Sequence, residues 1–144
     1  MGAGVMAGMD GDLRFTGYAA LFDRVDRGGD VVRRGAFGAL TGRRVPLLWQ
    51  HRPDRAVGMI ETLAEDARGL RVTGRVSART AAGREAAALL KAGAVDGLSF
   101  GYRVKAARGA APRELLALDL VEVSLVTQPM QPGARVEGVA DGIA

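Results

Sequence analysis

The chain has 144 residues, 48% of them apolar and 25% charged, as expected of one soluble globular domain long enough to bury a core. It has no cysteine and a single histidine, His51, which excludes disulfides, thiolate catalysis, cysteine-based zinc or iron–sulfur sites and a histidine-rich metal centre. The net charge of +4 is carried almost wholly by arginine in scattered positions such as Arg33-Arg34, Arg43-Arg44 and Arg68, so no long basic block marks a nucleic-acid surface.

In chain order, residues 1–11 are rich in Gly, Ala and Met and read as a flexible N-terminus. They lack a basic leader and a long apolar run, and no stretch reaches the length of a membrane span, so the expectation is an intracellular protein. Leu13 to Phe22 has strand character, and Arg27-Gly28-Gly29-Asp30 marks a turn before the short apolar Val31-Val32. Phe37 and Leu40 can tuck one helical turn under a sheet. Val45 to Gln50 is a compact apolar strand that ends on His51, and Pro46 places its start at an edge. Arg52 to Arg55 is expected to turn the chain into a strand over 56–63, with Val57, Met59 and Glu61 on one face. Leu70 to Val76 alternates apolar and polar, as a half-exposed antiparallel strand does.

The strongest helix signal covers residues 80–92. Thr80 suits the N-cap, Ala81 to Lys91 are strong helix formers, and Gly93 suits the left-handed position after the last turn. Its stripe of Ala82, Ala86, Leu89 and Leu90 can pack on the sheet or on a second subunit. Gly97 to Val104 and Arg113 to Thr127 are apolar strands expected to form a hairpin, and Pro129 and Pro132 end the second. Residues 12–128 therefore read as one domain and 129–144 as a mobile tail. The fold class is mainly β with helices (α+β), with about six to seven largely antiparallel strands in a barrel or folded sheet.

Chemistry concentrates in Gly97-Leu98-Ser99-Phe100-Gly101-Tyr102. As a strand it turns Leu98, Phe100 and Tyr102 one way, and Ser99 with the flanking glycines the other. That leaves a hydroxyl on an open face, although a strand that merely carries a serine has the same pattern. A serine nucleophile needs a base, and the base needs an orienting partner. His51 is the only imidazole available. Glu122 is the best third member, because a carboxylate among Leu120, Val121, Val123 and Leu125 is costly unless paired. A solvated strand face next to Ser124 would also account for it. Asp119 is the rival acid and Ser124 the rival nucleophile. Asp96 and Ser77 read as turn or capping residues.

Several blocks, in order, resemble one family. They are Gly17-Tyr18-Ala19-Ala20-Leu21-Phe22, Gly29-Asp30-Val31-Val32 with Arg34-Gly35-Ala36-Phe37, Val45 to His51, Ala56-Val57-Gly58, Gly97 to Tyr102, and Asp119 to Thr127 followed by Pro129 and Pro132. Together they resemble the prohead (capsid maturation) serine proteases of tailed bacteriophages and gene-transfer particles, related in fold to the herpesvirus assemblins. The resemblance implies a closed antiparallel β-barrel, with Ser99 as nucleophile, His51 as general base and Glu122 as orienting acid. It implies no metal or cofactor. The implied substrate and partner is the major capsid protein with its scaffold segment, processed inside procapsids in the bacterial cytoplasm. A homodimer is implied by analogy, with the alanine-rich helix as its contact. Two rival readings keep the barrel without the protease. One is a catalytically silent assembly factor. The other is a basic nucleic-acid-binding barrel, which predicts steeply salt-dependent DNA binding at low micromolar protein in a filter or fluorescence titration; the protease reading predicts none.

Overall fold

The computed structural model describes residues 11–141. The expected flexible N-terminus lies, up to residue 10, outside the described residues. Among those described, the order is β1 (Leu13–Leu21), β2 (Asp30–Val32), β3 (Val45–Trp49), β4 (Arg52–Glu65), β5 (Gly69–Val76), α1 (Ala81–Lys91), β6 (Gly97–Arg108), β7 (Arg113–Val126) and β8 (Val136–Ala140).

The strands form one sheet in the order β2-β7-β3-β4-β5-β1-β8, with β6 on β7. The long β6–β7 hairpin is antiparallel throughout, from Gly97 opposite Val126 to Arg108 opposite Glu114. The other edge of β7 is shared by two parallel partners, β2 at residues 113–115 and β3 at residues 123–125. The sheet is therefore mixed and has eight strands, and it does not close, which corrects the expected closed antiparallel barrel. Alternation along each strand predicts faces, not neighbours, and a parallel pair joined through a long crossover leaves no local trace.

A seam remains between β6 and β1, and the residues before β8 span it. Leu98 N donates to Ala134 O (2.9 Å) and Val136 N to Asp96 O (2.7 Å), while on the far side Tyr18 N donates to Arg135 O (3.2 Å). The segment expected as a mobile tail thus carries a strand and stitches the two edges together. Gly17 makes the approach possible, because a Cβ there would lie 2.4 Å from Arg135 O.

The core collects Phe15, Leu47, Ile60, Val72, Leu98 and Leu125, each at most 1% exposed. Phe37 and Leu40 are buried beneath the sheet as expected, but they sit in a run of turns. Register shifts at Ala56–Gly58 against β3 and at Ile60–Thr62 against β5 change the face of β4, so Val57, Ile60 and Leu63 point inward in place of the expected Val57, Met59 and Glu61. Helix α1 begins where the sequence places it, with Gly83 N donating to Thr80 Oγ1 (3.0 Å), and Gly93 follows it at φ +71°. It buries Gly83, Ala86 and Leu90, and Ala82 and Leu89 pack against the same core beside Trp49. The alanine stripe is thus spent on the chain's own sheet.

Gly17→Ala should push residues 135–136 off β1. The expected outcome is a loss of about 1–3 kcal/mol in chemical denaturation, with faster amide exchange concentrated in residues 134–140.

Candidate active site

The site is assembled on β7. Its partner β3 turns into β4 through Gln50 and His51, with Trp49 opposite Arg52. The turn thus lies at Gln50–His51 and β4 already begins at Arg52, earlier than the expected reversal over Arg52 to Arg55. Both turn residues have positive φ, 51° and 59°. A two-residue hairpin turn of this kind matches the twist of its strands but favours Asn-Gly. Holding Gln and His there costs roughly 1–3 kcal/mol each. The end of β7 supplies the restraint. Gln50 N donates to Leu125 O (2.9 Å), and the Gln50 amide exchanges hydrogen bonds with the Thr127 hydroxyl (3.2 Å) and Thr127 N (3.3 Å). His51 N donates to Ser124 Oγ (3.0 Å).

The imidazole meets Glu122. Nδ1 of His51 lies 2.5 Å from Glu122 Oε1, and the other carboxylate oxygen accepts from Ser124 Oγ at 2.7 Å. The glutamate side chain is 8% exposed and the imidazole 43%. A carboxylate so placed needs partners on both oxygens, and it has them. With Nδ1 donating to the carboxylate, Nε2 keeps its lone pair and is free to work as a base.

Ser99 stands directly opposite Ser124, and Gly101 opposite Glu122. Cross-strand partners share a face, so the serine, the glutamate and Ser124 lie on the same side of the β6–β7 hairpin. The sequence places the glycines beside Ser99 on its open face. Gly101 makes room for the glutamate, since a Cβ there would lie 2.4 Å from Glu122 Oε1. Ser99 is 7% exposed, and its hydroxyl has no hydrogen-bond partner among the described residues. Ser99 and His51 line one cavity of about 90 Å³, together with Ala19, Asp26, Tyr102 and Gln131. A cavity of about 370 Å³ between β1, β5 and β8, lined by Phe15, Glu61, Thr73 and Val139, contains none of the three candidate residues.

All three residues singled out from the sequence therefore come together. Of the two rivals, Ser124 joins them, whereas Asp119 is exposed opposite Arg103; Asp96 is paired with Arg135 (2.7 Å), and Ser77 Oγ accepts from Arg79 N in a turn. Phe100 packs edge-on against Phe37 (5.3 Å between centroids) and is 9% exposed, so it offers no face for a base to stack on. Sequence reasoning missed Gln131, which reads both Leu21 N (2.7 Å) and Leu21 O (2.8 Å) and so anchors the cavity wall to β1. Its position between Pro129 and Pro132 was the available signal. Tyr102, expected on the same face as Leu98 and Phe100, follows a register shift after Gly101 and is half-buried on the cavity wall. Burial, then the carboxylates of Asp30 and Asp26, push its phenol above the ordinary range, so it stays a neutral donor. No group of three or more His, Asp or Glu side chains among the described residues is arranged to hold a metal.

The eight-stranded mixed sheet has the fold of the herpesvirus proteases. The structure resembles the KSHV protease in complex with a hexapeptide phosphonate inhibitor, with a TM-score of 0.65 at 15% identity over 90% of this chain and 65% of that one. It also resembles the varicella-zoster virus protease, with a TM-score of 0.54 at 18% identity over 88% of this chain and 63% of that one. The sequence pattern of the caudovirus prohead serine proteases matches residues 5–144, and the chain belongs to that family. It is 35% identical over 94 residues to the prohead protease of Enterobacteria phage HK97, a match covering 62% of this chain and 42% of the HK97 protein. No helix among the described residues is long and apolar enough to cross a membrane.

If Gly101 is required by the glutamate, Gly101→Ala should destabilise the fold by about 1–3 kcal/mol, and the same change in a Glu122→Ala background should cost almost nothing. Urea denaturation of the four proteins in this cycle measures both.

Proposed function

We propose that this chain is a serine endopeptidase of capsid maturation. It cleaves the scaffold or N-terminal segment of the major capsid protein, and its own termini, within procapsids assembling in the bacterial cytoplasm. The observation that carries the reading is the placement of the only histidine. Its Nδ1 faces a buried carboxylate, and its ring shares a cavity with Ser99. Family membership over nearly the whole chain supports the substrate class.

In this mechanism Ser99 Oγ attacks the scissile carbonyl as its proton passes to His51 Nε2. Glu122 stabilises the imidazolium that forms and holds the ring in its productive tautomer. The imidazolium then protonates the leaving amine. Water, activated by the same nitrogen, hydrolyses the acyl-enzyme and regenerates Ser99. Each of these steps uses the chain's own groups, and none draws on a metal or cofactor. The proposal includes a homodimer. Because the apolar face of α1 is buried on its own sheet, the contact would have to use the opposite face, where Ala81, Arg84 and Ala88 are exposed.

The test is co-expression with the capsid protein of the same particle, read by intact-mass spectrometry. Wild type should yield a capsid fragment with one defined new N-terminus, and Ser99→Ala none. Glu122→Gln, which misorients the imidazole, should cleave about 10³–10⁴-fold more slowly. Cleavage that persists in Ser99→Ala would mean a different nucleophile. Unchanged capsid mass with all three proteins, alongside normal assembly, would favour the silent assembly factor.

A further inference from the structure

We propose that Ser124 is a positioning residue that locks the His51–Glu122 pair. This rests on the protease reading for its consequence in catalysis, though the contact itself does not. The sequence offers Ser124 as a rival nucleophile, or as the polar neighbour of a solvated glutamate. The structure excludes both roles. Ser124 is 0% exposed, so no substrate carbonyl reaches it.

A hydroxyl has one proton to give and two lone pairs to receive with. Ser124 gives its proton to Glu122 Oε2 (2.7 Å) and receives the backbone N–H of His51 (3.0 Å). One oxygen thus ties the far side of the acid to the main chain of the base. Both connections address a real freedom. The carboxylate torsion of a glutamate is broad and roughly two-fold, so a single contact to the ring does not hold its plane. The His51 backbone sits at φ 59°, a region that a non-glycine residue leaves unless held. The register makes the arrangement possible. Ser124 is opposite Ser99 on β6 and opposite Leu48 on β3, two residues along β7 from Glu122 and on the same face. It is the residue from which the acid and the turn can be reached together.

The experiment exploits the single histidine, whose ring nitrogens give an unambiguous NMR signature. Wild type, Ser124→Ala, Ser124→Cys, Glu122→Gln and the Ser124→Ala/Glu122→Gln double variant are compared in two ways. The first is the hydrogen-bonded Nδ1 proton of His51. The second is saturation kinetics of labelling by a fluorophosphonate, from which Ser99 Oγ displaces fluoride as its proton passes to His51. Cooperative thermal unfolding identifies any variant that has lost the fold. Ser124→Ala removes volume and Ser124→Cys adds it, yet both weaken the two hydrogen bonds, so a loss common to the pair reports bonding and not packing.

Both Ser124 variants should lose the Nδ1 proton signal to solvent exchange. Their maximal labelling rate should fall about 10–100-fold, as expected of a misplaced catalytic group, with half-saturation changed less than about twofold. Adding Ser124→Ala to Glu122→Gln should slow labelling by less than about threefold more, because both changes break one unit. A sharp Nδ1 proton with wild-type labelling in folded Ser124→Ala would overturn the proposal, as would losses that multiply in the double variant. Loss of the Nδ1 signal in Ser124→Ala, together with a wild type that is never labelled, would uphold the positioning role and refute the protease reading alone.

Discussion

A carboxylate buried in a β-sheet has to be met by polar groups on both oxygens, and the site depends on how Glu122 satisfies this. One oxygen takes the imidazole Nδ1 and the other the Ser124 hydroxyl. Burial raises the cost of leaving either oxygen unpartnered and strengthens each bond that is made. The same requirement explains Gly101 across the ladder, where any side chain would occupy the carboxylate's place. It also explains why the strained turn at Gln50 and His51 persists. That turn carries a bonding partner that the glutamate needs, and the end of β7 holds it by two backbone N–H groups, Gln50 N and His51 N, and by the Gln50 side chain on Thr127.

Strand β7 is the hub of the arrangement. Its own side chains supply the acid and the positioning hydroxyl. Its antiparallel partner β6 carries Ser99, and its parallel partner β3 delivers His51. Three candidate residues from distant parts of the chain are thus fixed by the two edges of one strand, a more rigid support than three loops would be. The parallel pairing places the end of β3 beside residues 123–125 of β7, which brings the turn over the glutamate.

The open seam between β6 and β1 belongs to the same design. Residues 134–136 bridge it, and just ahead of them Gln131 is pinned to Leu21 while lining the cavity that holds Ser99 and His51. The wall of the site facing the seam is therefore built by a connection hydrogen-bonded to strands on either side, not by the sheet itself. On the proposed protease reading, the Ser99 hydroxyl, without a hydrogen-bond partner among the described residues, would complete its bonding around a bound peptide.

Much of this was legible in the chain. One histidine, one serine between glycines and one glutamate in an apolar strand left few choices. The helix with its Thr80 cap and the β6–β7 hairpin follow from periodicity and turn residues, which are local properties. What the sequence could not convey is non-local. Two-fold alternation says which face a residue takes and is silent on which strand lies beside it, so the parallel β3–β7 pairing, the unclosed sheet and the late strand β8 were out of reach. Local registers also escaped, because the shift at Ile60 and the turn at Gln50–His51 run against residue preference and are held by distant partners. The identities of Ser99, His51 and Glu122 as the chain's chemical resources were set by the sequence alone. Their convergence, and the change of Ser124 from rival nucleophile to buried strut, were decided by tertiary structure, because hydrogen bonds between β3 and β7 form only once that long crossover has closed.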